Sequence, residues 1–175
     1  METVPFNKLL LKTAFCCMAS DGSIDQKEID QIKLMYEKSE LFHDLDFHEE
    51  INRLIDKINT KGKDFIKYYL NLLSEANLSE QEELMLIDFA IETIHSDGVD
   101  DYSEIKFFKN IRHRLNLTDE KILNIHPEVE YWLEQDIITE SYLEKISKQY
   151  LEEVELPQFE SISLENISSE NGDMV

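Results

Sequence analysis

Six carboxylates recur in this sequence at a spacing that suits a hard cation. Asp21, Asp25 and Glu28 lie within eight residues of one another, and Asp97, Asp101 and Glu104 repeat the arrangement at an offset of 76 residues. Oxygen ligands of this type bind Ca²⁺, Mg²⁺ or Mn²⁺. Much of the pattern also serves folding. Gly22 and Gly98 supply the left-handed conformation that ends a helix. Asp25 with Glu28, and Asp101 with Glu104, have the spacing of capping boxes that open the next helix, each worth about 1 kcal/mol. Asp21 and Asp97 do not fit that account. Each falls at the C-terminal end of a helix, where the macrodipole disfavours a carboxylate by roughly 0.3–1 kcal/mol. A bound cation would remove this cost.

The turn overlaps the second half of an EF-hand loop, with Asp, then Gly, then Glu six residues after the Gly. The first half is missing. Cys17 and Ala19 stand at the first ligand positions of one copy, Thr93 and His95 in the other, so a cation site needs both turns, water or another element.

Other residues able to do chemistry read more simply. His43, Asp44, Asp46 and His48 form a loop and a helix cap, since His43 and His48 do not share a helical face. His95 adjoins the second acidic turn as a neighbour or ligand. His113 sits between Arg112 and Arg114 in a solvated basic patch, and His126-Pro127 starts a helix. Cys16 and Cys17, adjacent on an apolar helix, are reduced and inert. No Ser-His-Asp order, nucleophile elbow, P-loop or dinucleotide turn is present, which points away from an enzyme.

These residues need helices to position them, and the sequence supplies them. Apolar residues recur at helical spacing from Phe6 to Met18, from Ile29 to Met35, from Ile51 to Ile58 and through Phe65, Tyr68, Tyr69, Leu72 and Leu73. The aromatics, with Phe107 and Phe108, are expected in the core. Asp46 to Glu49 and Ser79 to Glu82 read as further capping boxes, Gly62 as a helix end and Asn77 as a left-handed cap. Helices are expected to about Ser96, from Asp101 to about Asn116, from Thr118 to Ile125, around Trp132, and over about 139–154.

The 76-residue offset extends beyond the turns. It pairs Leu10 with Leu86, Leu11 with Ile87, Ala14 with Ala90, Ser20 with Ser96, Ile29 with Ile105 and Ile32 with Phe108. Repeats at about 6–38 and 80–116 therefore each form a helix–Asp-Gly turn–helix hairpin, and two such hairpins make one bundle. The expected fold is all-α, with a duplicated domain over 1–125, a helical extension over 126–156 and an acidic tail over 157–175. The tail is loosely attached, or docks through Phe159, Ile162, Leu164 and Ile167 on a groove.

The net charge of −21 repels phosphate backbones and anionic lipid. Direct nucleic-acid binding is excluded on that ground; cations and basic protein surfaces are the natural partners. Two cysteines, an N-terminus without the signal-peptide pattern and the lack of any long apolar run fit a cytoplasmic protein.

The stretch Ala19-Ser20-Asp21-Gly22-Ser23-Ile24-Asp25-Gln26-Lys27-Glu28, echoed by His95-Ser96-Asp97-Gly98-Val99-Asp100-Asp101-Tyr102-Ser103-Glu104, resembles the tellurite-resistance TerB family. TerB-like domains also occur in some membrane-anchored DnaJ-type co-chaperones. The resemblance spans residues 6–123. It implies an all-α fold with internal duplication and an acidic cluster suspected of binding metal, which would map to Asp21, Asp25, Glu28, Asp97, Asp101 and Glu104. It further implies a non-enzymatic part in stress response or phage defence, within assemblies peripheral to the inner membrane. A metal-free acidic scaffold for a basic protein partner is the alternative, and a nucleic-acid mimic a third.

Overall fold

The computed structural model describes residues 4–134 and 142–162, with the backbone alone described at Asp97 and over residues 142–147. Among the described residues every regular element is helical: α1 (Phe6–Ala19), α2 (Gln26–Lys38), α3 (Phe47–Lys61), α4 (Lys63–Glu75), α5 (Glu80–Ile94), α6 (Tyr102–Arg112), α7 (Asp119–Ile125), α8 (Glu130–Leu133) and α9 (Tyr142–Glu153). No described helix is long and apolar enough to cross a membrane.

The caps that the sequence advertises close three helices as expected. Asp25 and Glu28 exchange both capping-box bonds at the start of α2, as do Ser79 and Glu82 for α5 and Asp101 and Glu104 for α6. At α3 only half the box forms. Asp46 accepts from the Glu49 amide at 2.8 Å, while Glu49 does not reach back. Asn77 is not the cap of α4, which ends at Glu75 with Ala76 in the extended region.

The duplicated hairpins are α1–α2 and α5–α6, and they form the expected bundle. α1 lies against α5, and the crossed pairs α2–α5 and α1–α6, which a two-fold relation exchanges, are both in contact. Between the repeats, α3 and α4 pack on α1. α1 is buried from Leu9 to Ala19 without a break, so it is covered on all sides rather than along one stripe. The helical extension joins the same core: Val129, Trp132, Tyr150 and Val154 are buried with the bundle residues. Tyr69, Phe107 and Tyr150 form a chain of rings, at 6.0 and 5.4 Å between centroids, from α4 through α6 to α9.

Tyr68 departs from the expected core. It is 48% exposed, and its ring carries the Lys12 ammonium 5.4 Å from its centroid. At this position the stripe of α4 has rotated out of the core, and the ring serves as a lid for a buried lysine stem.

Two polar ties hold distant segments. Glu83 in the first turn of α5 is buried, and its carboxylate accepts from the backbone amide of Asn116 at 2.9 Å and from its side-chain amide at 3.1 Å. His126, more than a helix start, stands 2.7 Å from Asp88 of α5 and 3.0 Å from Glu128. Burial works against the charged ring, but the hydrogen bonds to Asp88 and Glu128 outweigh it and raise the His126 pKa above its ordinary 6.5. A raised histidine stabilises the fold fully below its unfolded value, and the gain fades as pH rises through the folded value. The melting temperature of the parent should therefore exceed that of His126→Gln by more at pH 5.5 than at pH 8.5. A gap that is equal or larger at the higher pH would show that the ring is not held as a cation.

Candidate functional site

The first acidic turn begins where α1 stops at Ser20. Gly22, at φ +86°, turns the chain, and its amide bonds to the Ala19 carbonyl at 3.1 Å. Asp21 lies just beyond the helix end. One of its oxygens accepts from the Ser23 amide at 2.8 Å, and both stand 3.0 Å from the Ser23 hydroxyl. The unfavourable position of this carboxylate is thus offset by local donors, and the dipole argument for a cation loses force there. Asp25 is exposed and accepts from the Lys27 amide at 2.7 Å.

The second turn follows the same course. A 3-10 turn over His95–Asp97 extends α5, Gly98 is left-handed at φ +78°, and Asp101 accepts from the Ser103 amide at 2.7 Å. Asp101 is exposed like Asp25. The side chain of Asp97 lies outside the described residues.

The glutamates behave differently from the aspartates. Glu28 is 4% and Glu104 2% exposed. Their Oε2 atoms accept from the amides of Asp25 at 2.8 Å and Asp101 at 3.2 Å. The two copies also approach each other, since α2 packs against the 3-10 turn of the second copy. Both glutamates act on one residue, Cys17. Burial first, then the neighbouring Cys16, then Glu104 and Glu28, push the Cys17 thiol well above its ordinary pKa. Burial likewise raises Cys16. Neither thiol is a nucleophile in this setting. Of the six candidate ligands, then, the fold buries the two glutamates and leaves Asp21, Asp25 and Asp101 at the surface. Among the described residues no three of His, Cys, Asp and Glu stand together as a metal-holding group.

The turns differ in what covers them. At the first, the Tyr150 hydroxyl donates to the Ser20 carbonyl at 3.1 Å, and a Cβ on Gly22 would stand 2.6 Å from the Glu155 carbonyl oxygen. At the second, no atom of the described residues lies within 4 Å of that position on Gly98, and Val99 is 64% exposed. His95 lies 3.4 Å from Asp100 and packs on the buried ring of Trp132, with centroids 4.9 Å apart. Two polar atoms near this turn are buried without a partner, the Ser96 hydroxyl and the Trp132 indole nitrogen. Ser20, the counterpart of Ser96, is satisfied by the Cys17 carbonyl at 2.7 Å.

The remaining histidines find other uses. His43 and Asp44 are exposed, Asp46 caps α3, and His48 contacts the Ile162 carbonyl at 2.7 Å. His113 is half-buried rather than solvated. Burial, then Arg112, lowers its pKa, and it lines a cavity of about 140 Å³ with Lys109, Arg112 and Trp132. Sequence reasoning passed over Asn52 and Asn59. These two residues, seven apart on α3, hold the segment that follows α9; their shared helical face is the signal that was present.

Compared with family models, curated proteins and solved structures, the chain matches none of them. The resemblance to TerB therefore stands on the doubled turn alone.

Alanine at either turn glycine forces a side chain into the left-handed region, at a cost of about 1–2 kcal/mol. Gly98→Ala should lower the melting temperature by about 2–8 °C, at about 2–4 °C per kcal/mol for a chain of this size. Gly22→Ala should lower it further, because the new methyl also meets the Glu155 carbonyl. Equal losses in the two variants would mean that the C-terminal segment does not press on the first turn.

Proposed function

We propose that the chain is a non-enzymatic, TerB-like module that holds a divalent cation where its acidic turns converge and docks a protein partner. The observation that carries the reading is the burial of Glu28 and Glu104, one from each turn, where α2 packs against the second copy. Withdrawing two like-charged carboxylates from water is costly, and a hard cation is one group that offsets it. The unpartnered Ser96 hydroxyl beside the second turn adds an oxygen able to join such a set. Ca²⁺, Mg²⁺ and Mn²⁺ are the fitting ions. The part in stress response or phage defence, and a cytoplasmic place peripheral to the inner membrane, follow from the resemblance.

A second reading has its own support. Asp21, Asp25 and Asp101 each accept hydrogen bonds from the chain, so the turns close without an ion. The acidic surface would then be a scaffold for a basic partner, bound less tightly as salt rises.

A thermal melt of metal-stripped protein separates the two. One millimolar-range ion among Ca²⁺, Mg²⁺ and Mn²⁺ should raise the melting temperature, with about 2.7 kcal/mol gained at 100 times the dissociation constant. The shift should vanish in Glu28→Gln/Glu104→Gln, which removes both buried charges and remains compatible with both capping boxes. No shift with any ion, in a parent no more stable than this variant, would remove the cation and leave the scaffold.

A further inference from the structure

Residues 155–162 run along α3 in a way that reads the backbone of the strap rather than its side chains. Asn59 accepts from the Phe159 amide at 2.8 Å and donates to the Phe159 carbonyl at 2.9 Å. Asn52 repeats the pair on Ile162, at 2.7 and 3.3 Å. Each side-chain amide thus engages both backbone groups of one residue, as a neighbouring β-strand would. The spacing matches. Seven residues of α-helix rise about 10.5 Å, and three residues of extended chain span about 10 Å. His48 adds a contact to the Ile162 carbonyl at 2.7 Å, and the Gln158 side chain donates to the Asn59 carbonyl at 3.3 Å.

The strap's side chains contribute less. Leu156, Phe159 and Ile162, one residue in three, rest on the core and are only half-buried. Pro157, Gln158, Glu160 and Ser161 between them are exposed. The strap also forms one wall of a cavity among the described residues. The cavity, of about 590 Å³, lies between the strap and the first acidic turn and is lined by Gly22, Ser23, Ile24, Gln26 and Ile29 on the turn side. That volume is within the range of ligand-binding clefts, about 300–1,000 Å³.

Charge makes the strap a poor occupant. It carries Glu155 and Glu160 and no base, and it lies beside a turn that exposes Asp21 and Asp25, in a chain of net charge −21. A segment with the same apolar spacing but basic residues at the exposed positions would hold the same backbone bonds and bring charge opposite in sign to the exposed Asp21 and Asp25.

We propose that the groove between α3 and the first acidic turn is a binding site for an extended, basic segment of a protein partner, with apolar side chains at every third residue. The strap 155–162 is its tethered stand-in. The proposal deepens the partner half of the reading above and does not require the cation.

The test uses the full chain. Two fluorescent peptides are titrated in chelator: the strap sequence 155–162, and the same peptide with lysine in place of Glu155, Gln158 and Glu160. The tethered strap competes at an effective concentration on the order of millimolar. Phe159→Asp/Ile162→Asp, which releases it, should strengthen binding of the basic peptide at least tenfold over the parent, and the acidic peptide should bind at least tenfold more weakly than the basic one. Adding Asn52→Ala/Asn59→Ala should abolish binding, as should proline at the two gripped positions of the peptide. Binding that is indifferent to the asparagines, or that favours the acidic peptide, would overturn the proposal. The parent gives an independent arm that needs no substitution. Millimolar basic peptide should move the side-chain amide NMR signals of Asn52 and Asn59 and the backbone amide signal of Phe159, and unmoved signals would overturn the proposal as well. Because the titration is run in chelator, binding there together with a melt that no ion shifts would remove the cation and keep the groove.

Discussion

The structure depends on one helix that cannot face water. From Leu9 to Ala19 every residue of α1 is buried, Lys12 and Thr13 included. A helix apolar all round must be covered all round, and with each large apolar side chain worth about 1.5–3 kcal/mol on burial, this requirement outweighs any single cap or ion pair. It explains why α1 touches α2, α3, α4, α5 and α6. Its polar residues are accommodated rather than exposed. The Thr13 hydroxyl donates to the Leu9 carbonyl at 2.9 Å and accepts from the Tyr69 hydroxyl at 2.9 Å. Lys12 runs out under Tyr68, its pKa lowered by burial and then by Lys57.

The same constraint gives the duplicated turns their shared geometry and their different fates. α1 lies against α5, and the helices that follow them, α2 and α6, each pack on the opposite copy, α2 on α5 and its 3-10 turn and α6 on α1. Their N3 glutamates point inward because the capping box bends each side chain back toward the helix start, which here is the bundle interior. The aspartates at the caps face outward for the same geometric reason. What surrounds each turn then diverges. The first is closed by α9 and the strap, through Tyr150 and Glu155. The second is bordered by His95, Trp132 and Tyr131 and stays open at Gly98. A repeat that is nearly symmetric in its backbone thus presents two unlike surfaces, because the C-terminal extension is not itself duplicated.

Local features were legible in the sequence. The helices, the three closed capping boxes and the left-handed glycines are set by residues within four positions of one another, and the repeat that pairs Asp21 with Asp97 shows as the same local pattern met twice. Tyr68 was misplaced because helical periodicity gives a stripe without its exact edge. Asp21 was misjudged because the dipole argument ignored Ser23, two residues on, whose amide and hydroxyl answer the carboxylate. The ties of Glu83 to Asn116, His126 to Asp88 and Asn59 to Phe159 cross 33, 38 and 100 residues. No local pattern announces such pairs, since each is chosen by where the bundle places two surfaces. The sequence favoured a loosely attached tail from residue 157, with docking as the alternative; over 157–162 the alternative holds, through Phe159 and Ile162 on α3, because the side chains that grip the backbone there belong to a distant helix, while Leu164 and Ile167 lie outside the described residues.

The two parts of the C-terminal segment are held by different physics. α9 is anchored by side chains in the core: Tyr150 and Val154 are buried, and the Tyr150 hydroxyl reaches Ser20 across the bundle. Removing it would open the core. The strap beyond it gains a few backbone bonds, each worth about 0.5–1.5 kcal/mol net, and three half-buried side chains. Against this stands the ordering of eight residues at about 1–2 kcal/mol each. Gain and cost are of similar size, whereas α9 has buried anchors of its own. A surface that grips backbone groups loses little when one extended chain replaces another, because the bonds it makes are common to all residues but proline. Side-chain charge is then the feature on which two such chains would differ, and a basic segment would meet the exposed Asp21 and Asp25 with the opposite sign.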